Sequence, residues 1–123
     1  MQAGLRLLVG AVGVFNILIG LLFLFNPAGA AANFFLIPDG SQGMATLRAD
    51  FPGFFITGGG FALLGALQRD ARALLVPVML LAIALTGRCV SLLADGMGPD
   101  AIPPMLAEAV MIGLLLACRR SLR

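Results

Sequence analysis

The stretch ALLVPVMLLAIALTGRCVSLLA, residues 73–94, decides the fold class of this chain. It is long enough to cross a bilayer, which takes about 20 apolar residues, and Arg88 is its only charged residue. A charged side chain near the centre of a membrane costs about 2.5–3.5 kcal/mol on insertion scales, so Arg88 needs a partner. The stretch therefore predicts a membrane-spanning helix and raises the question of what Arg88 contacts.

The composition of the whole chain is typical of a membrane protein. Of its 123 residues, 60% are hydrophobic and 11% are charged, whereas about a quarter of the residues in a soluble domain are charged. The chain has no His, Tyr or Trp and no metal-binding motif, so an enzyme is the least favoured class and we expect no cofactor or metal. Its basic residues form no clustered face, which argues against nucleic acid as a partner.

Four segments are apolar and long enough to span a membrane, at about residues 5–26, 46–68, 73–95 and 101–118. We therefore predict an all-α fold, a single-domain bundle of four transmembrane helices. The first segment also resembles a signal peptide, but its apolar run of about 19 residues is longer than usual for one. The connection 27–45 holds an apolar piece too short to span, which we expect to be interfacial or re-entrant on the outer face.

The placement of arginine predicts the orientation of these spans. Most of the arginines lie before the first span, between the second and third, or after the fourth: Arg6, Arg69, Arg72, Arg119, Arg120 and Arg123. The other two connections carry a net negative charge. Because positive residues favour the cytoplasmic side, we predict that both termini are cytoplasmic.

Glu108 is the predicted partner of Arg88. Arg88 lies seven residues before Asp95, at the outer end of the third span, and Glu108 lies seven residues after the outer end of the fourth. At about 1.5 Å per residue, each charge is about 10 Å below the outer surface. A guanidinium and a carboxylate at equal depth can pair, even bidentately, and so offset much of the cost of about 5–7 kcal/mol for two isolated charges.

Other polar side chains converge on the same outward-facing region. At about 100° per residue, Arg88, Ser91 and Asp95 share one face of the third span. The outer part of the second span carries acidic, hydroxyl and phenyl side chains. The predicted ligand-binding residues are Arg48, Asp50, Phe54, Thr57, Arg88, Ser91, Asp95 and Glu108. The alternative interpretation is structural, since a buried ion pair can simply fix the register of two helices.

The glycines of TGGGFALLGA, residues 57–66, predict close helix packing. Small residues let the backbones of neighbouring membrane helices approach each other. A phosphate-binding loop is disfavoured because no G-K-[ST] follows the triple glycine.

The motifs LRADFPGFFITGGGFALLGAL (47–67) and TGRCVSLLADG (86–96), followed by a glutamate in the last span, resemble a group of small bacterial membrane proteins. These are four-helix proteins of unknown function with a DoxX-like layout. The matching positions are Arg48, Gly58, Gly59, Arg88, Asp95, Gly96 and Glu108. The resemblance implies a multi-pass protein of the bacterial inner membrane and supplies no activity.

Three functions remain open from the sequence. The first is non-enzymatic binding of a lipid or small amphipathic ligand in an outward-facing polar pocket, with Arg88 on an anionic head group and Phe54 against the tail. The second is proton-coupled transport of a small molecule. The third is an accessory or scaffold subunit of a membrane complex. The expected partners are accordingly membrane lipids, an amphipathic ligand, and a second copy of the chain or another membrane protein.

Overall fold

The computed structural model describes all residues from 1 to 123 and contains five helices and no strand. The helices are α1 (Gln2–Phe25), α2 (Pro27–Ala32), α3 (Gly40–Gln68), α4 (Leu75–Asp95) and α5 (Ile102–Ser121). All except the short α2 are long and apolar enough to cross a membrane. The all-α prediction is confirmed, and the chain has the helices expected of a multi-pass membrane protein.

The four long helices form a square in which α1 and α4 lie diagonally opposite. Helix α1 packs on α3 and α5, and α4 packs on the same two neighbours. The α1–α3 pair is the closest, because glycines face each other where the two helices meet. A β-carbon on Gly59 would lie 2.5 Å from the carbonyl oxygen of Gly13, so neither helix could carry a side chain there without moving apart.

Both ends of the chain lie at the same end of the bundle, which we call the inner end. The side-chain amide of Gln2 donates a hydrogen bond to the carbonyl oxygen of Ser121 over 2.8 Å. The Arg6 guanidinium donates to the carbonyl oxygen of Ala66 over 2.7 Å and so binds one of the free carbonyls at the end of α3. The assignment of this end to the cytoplasm stays a prediction from the arginine distribution.

Two apolar clusters hold the bundle, and they involve different helices. The inner core draws on all four long helices and the segment just before α4; its buried members are Val9, Ala62, Ala66, Leu74, Leu81, Leu115 and Cys118. The outer core draws only on α1, α2 and α3; its buried members are Phe23, Ala30, Ala31 and Leu47. Since α4 and α5 contribute nothing to the outer core, the outer half of the bundle is packed on one side only.

The outer connection differs from the prediction in its extent. Helix α3 begins at Gly40, whereas the hydropathy pattern placed the second span from about 46, and it continues through Pro52 without a new start. Its 29 residues make it about 43 Å long at 1.5 Å per residue, longer than a hydrocarbon core of about 30 Å. The first turns of α3 therefore extend beyond the apolar stretch, where hydropathy gives no signal.

Candidate functional site

Arg88 and Glu108 form the ion pair that their matched depth predicts. Nε of Arg88 donates to Oε1 of Glu108 over 2.8 Å. The Glu108 side chain is 12% exposed and that of Arg88 is 37% exposed. The contact is a single hydrogen bond rather than a bidentate pair, and the two terminal nitrogens of Arg88 donate no hydrogen bond to the protein.

A cavity of about 410 Å³ lies between the helices beside this pair, and we call it the central cavity. Its lining residues come from all four long helices and from the segment between α2 and α3. They are Phe15, Asn16 and Ile19 of α1, Phe34 before α3, Asp50, Phe51, Phe54 and Phe55 of α3, Leu81, Ala84 and Arg88 of α4, and Pro104, Ala107, Glu108 and Met111 of α5. On α5 these positions follow the spacing of a single helical face. The cavity exists because the outer core leaves α4 and α5 unpacked on this side.

Phenylalanines form one wall of the central cavity. Phe51, Phe54 and Phe55 come from α3, and the rings of Phe54 and Phe55 meet edge to face with centroids 5.0 Å apart. Phe34 packs against Phe55 at 5.6 Å, and Phe23 of the outer core stacks behind Phe51 at 4.7 Å. Since the rings hold one another in place, this wall offers a preformed apolar surface.

Four polar side chains also line the central cavity, and several of their atoms are without partners. Asn16 is 7% exposed, and its amide nitrogen donates to the carbonyl oxygen of Val12 and to the sulfur of Met111. Its amide oxygen accepts no hydrogen bond. Asp50 forms neither a salt bridge nor a side-chain hydrogen bond, and Glu108 uses one oxygen only. No cluster of carboxylate and thiol side chains is arranged to hold a metal ion.

Four of the predicted ligand-binding residues line the central cavity together: Asp50, Phe54, Arg88 and Glu108. Thr57 is exposed and does not line it. At 100° per residue, Thr57 lies within about 20° of Asp50, which lines the cavity, so a rotation of the helix does not explain its absence. Thr57 lies closer to the inner end than Phe55, the last residue of α3 that lines the cavity. The cavity therefore follows the predicted face only in the outer part of α3.

The remaining predicted residues lie nearer the outer surface. Ser91 donates to Asp95 over 2.9 Å on the exposed side of α4, and Arg48 is exposed and reaches the carbonyl oxygen of Leu24 at 3.4 Å. A second cavity of about 320 Å³, which we call the vestibule, is lined by Arg88, Ser91 and Asp100 among others. Arg88 therefore lines both the vestibule and the central cavity.

Sequence reasoning did not select several lining residues. Pro104, Ala107 and Met111 could have been found, since they share the helical face of Glu108 at steps of three and four residues. Asn16 could also have been found, since it is a polar residue in the middle of the apolar first span. Phe34 has no comparable signal, because its position depends on the path of the chain between α2 and α3.

The central cavity ends where the inner core begins. Leu81 belongs to both, and Met111 lines the cavity while packing against the inner core. Below this level the space between the helices is filled by packed apolar side chains. The site is therefore a recess in the outer half of the bundle.

Comparison of the chain with models of known protein families, with curated protein sequences and with solved structures finds no match. The resemblance to four-helix proteins of DoxX-like layout stays a prediction that rests on the quoted motifs.

Proposed function

We propose that this protein binds a lipid or a small amphipathic ligand in the central cavity and does not convert it chemically. The proposal rests on one observation. The central cavity is lined both by phenylalanine rings and by polar side chains, and several polar atoms of those side chains have no hydrogen-bond partner in the protein. Its volume of about 410 Å³ is within the range of about 300–1,000 Å³ that small-molecule sites occupy. The apolar part of a ligand would contact the rings, and its head group would meet the polar side chains.

The central cavity does not continue through the bundle, because the inner half is filled by the seven buried residues of the inner core. This arrangement suffices for a binding site, whereas a transporter would also need a second arrangement in which the inner half opens. The polar side chains of the central cavity also favour ligand binding over a purely structural role for the Arg88–Glu108 pair. Fixing the register of α4 and α5 needs only Arg88 and Glu108, and it leaves no role for Asp50, which lines the same cavity without a partner in the protein.

The proposal can be tested by filling the cavity without disturbing the fold. Ala84 lines the central cavity, and Ala84→Phe would occupy it with a phenyl ring. Ala82 is exposed on the same helix and does not line the cavity, so Ala82→Phe is the matched control. Native mass spectrometry of protein purified in mild detergent would show how many lipid or small-molecule adducts each variant retains.

We expect the unaltered protein and Ala82→Phe to carry a bound amphiphile at about one per chain, and Ala84→Phe to have lost it. Equal retention by both phenylalanine variants would place the adduct on the outer surface of the bundle and refute the proposal.

A further inference from the structure

The charges around the central cavity do not balance. Two carboxylates, Asp50 and Glu108, line it together with one guanidinium, Arg88. Their formal charges leave one excess negative charge at neutral pH. Asp50 is an exposed residue, so its carboxylate is accessible and attracts a ligand of opposite charge that enters the cavity.

The positive charge of Arg88 is already committed. Its Nε is bonded to Glu108 at 2.8 Å, and its side chain also lines the vestibule. Asp50 has no such compensation, because it makes no salt bridge. Arg48 is close to it in sequence, but it does not line the cavity and forms no salt bridge with Asp50. The uncompensated charge of the cavity is therefore that of Asp50.

Two hydrogen-bond acceptors at the cavity have no donor in the protein. Asn16 and Glu108 are buried residues that line the cavity, and the amide oxygen of Asn16 and the second carboxylate oxygen of Glu108 accept no hydrogen bond from the protein. Neither oxygen is fully enclosed, since the only fully buried side-chain nitrogen or oxygen without a partner is Nε of Arg119. A ligand in the cavity can therefore reach both oxygens, and one that brings hydrogen-bond donors or a positive charge suits them.

The phenylalanine wall is compatible with a cation as well as with an alkyl chain. The face of an aromatic ring attracts an ammonium group within about 6 Å of its centroid. Phe51 directly follows Asp50 on α3, and both line the cavity. A carboxylate beside aromatic rings can hold an amine through charge and ring face together.

We propose that the ligand of the central cavity is a cationic amphiphile, whose ammonium group is held by Asp50 with Asn16 and Glu108 and whose tail lies along the phenylalanines. This inference rests on the proposed binding function and makes it specific. It replaces the anionic head group that an unpaired Arg88 would favour, because the structure pairs Arg88 with Glu108.

The experiment compares three probes that share a ten-carbon tail and differ in head-group charge: decylammonium, decyl glucoside and decyl sulfate. The whole protein is reconstituted in nanodiscs of zwitterionic lipid, and binding is measured by equilibrium dialysis with empty nanodiscs as the partition control. The variants are Asp50→Asn, Asp50→Glu and, as a matched control, Asp39→Asn, which removes a carboxylate just before the same helix and outside the cavity.

We expect the ammonium probe to bind about tenfold more tightly than the sulfate probe, and Asp50→Asn to lower only its affinity, by about tenfold. Asp50→Glu and Asp39→Asn should both retain tight binding of the ammonium probe. Retention by Asp50→Glu would show that the carboxylate, rather than the local fold, determines the affinity.

Two results would overturn the inference in different ways. If the three probes bind equally well, or if Asp50→Asn behaves like Asp39→Asn, the cavity takes amphiphiles without regard to positive charge and only the charge inference fails. If no probe binds above the level of empty nanodiscs, the proposed binding function fails with it.

Discussion

Arg88 and Glu108 depend on each other unequally. Removal of Arg88 leaves a carboxylate whose side chain is 12% exposed, whereas removal of Glu108 leaves a guanidinium that is 37% exposed and borders the vestibule. A long cationic side chain can move its head toward water, but a buried carboxylate on a shorter side chain cannot. The consequences of breaking the pair from either side should therefore differ.

We predict that Arg88→Met lowers the free energy of unfolding by about 2–3 kcal/mol and that Glu108→Gln lowers it by about 1 kcal/mol. Unfolding with increasing SDS in mixed micelles, followed by the loss of helical circular dichroism, measures both. The double variant should lower the free energy of unfolding by less than the sum of the two single effects, because it leaves no unpaired charge. Additive effects would mean that the pair contributes nothing to stability.

The sequence predicted the partner of Arg88 but not the geometry of the contact. Opposite charges at equal distances from the outer ends of two spans suffice to identify Glu108. The single bond through Nε depends on side-chain rotamers, which a one-dimensional pattern does not contain. Thr57 shows the same limit, because it shares a helix face with Asp50 but lies beyond the last cavity-lining residue of α3, and the sequence does not contain the depth of the cavity.

At the scale of elements, two positions of the triple glycine differ in whether they have room for a side chain. A β-carbon on Gly59 would lie 2.5 Å from the backbone oxygen of Gly13 and 3.0 Å from the β-carbon of Asn16, whereas one on Gly60 would meet nothing within 4 Å. We predict that Gly59→Ala destabilises the protein by about 1–3 kcal/mol, because α1 and α3 must separate. Gly60→Ala should be neutral or slightly stabilising, since alanine is the better helix former.

Thermal unfolding of the two variants in one detergent separates these expectations. Their side chains gain the same methyl group at adjacent positions, so differences in helix propensity cancel. Equal midpoints for Gly59→Ala and Gly60→Ala would contradict the close α1–α3 contact.

The number of membrane-length helices was predictable from the sequence, but their unequal packing was not. Apolar runs of about 20 residues identify the spans, because each run must satisfy its backbone groups as a helix in lipid. Lipid solvates an apolar side chain as well as protein does, so the apolar runs in α4 and α5 do not show whether their side chains pack against other helices or face lipid. The central cavity lies where the outer core has no side chain from α4 or α5, which only the contacts of the folded chain reveal.

At the scale of the whole molecule, the hydrogen bond between Gln2 and Ser121 brings the two chain ends together, while the distribution of arginines selects their side of the membrane. The two arguments are independent, because the first concerns packing and the second concerns insertion. Together they predict that the vestibule and the central cavity lie in the outward-facing half. A ligand would then reach the site from the outer side of the membrane, without crossing the cytoplasm.

This orientation can be tested with single cysteines. In a background with Cys89→Ala and Cys118→Ala, we predict that Gly98→Cys reacts with a membrane-impermeant maleimide on intact cells, because it lies in the α4–α5 connection at the outer end. Gln68→Cys, at the inner end of α3, should react only after the cells are permeabilised. Both sites are exposed, so differences in burial do not explain the contrast. The reverse labelling pattern would mean that both termini lie outside the cytoplasm. The central cavity would then be a site for molecules that come from the cytoplasm.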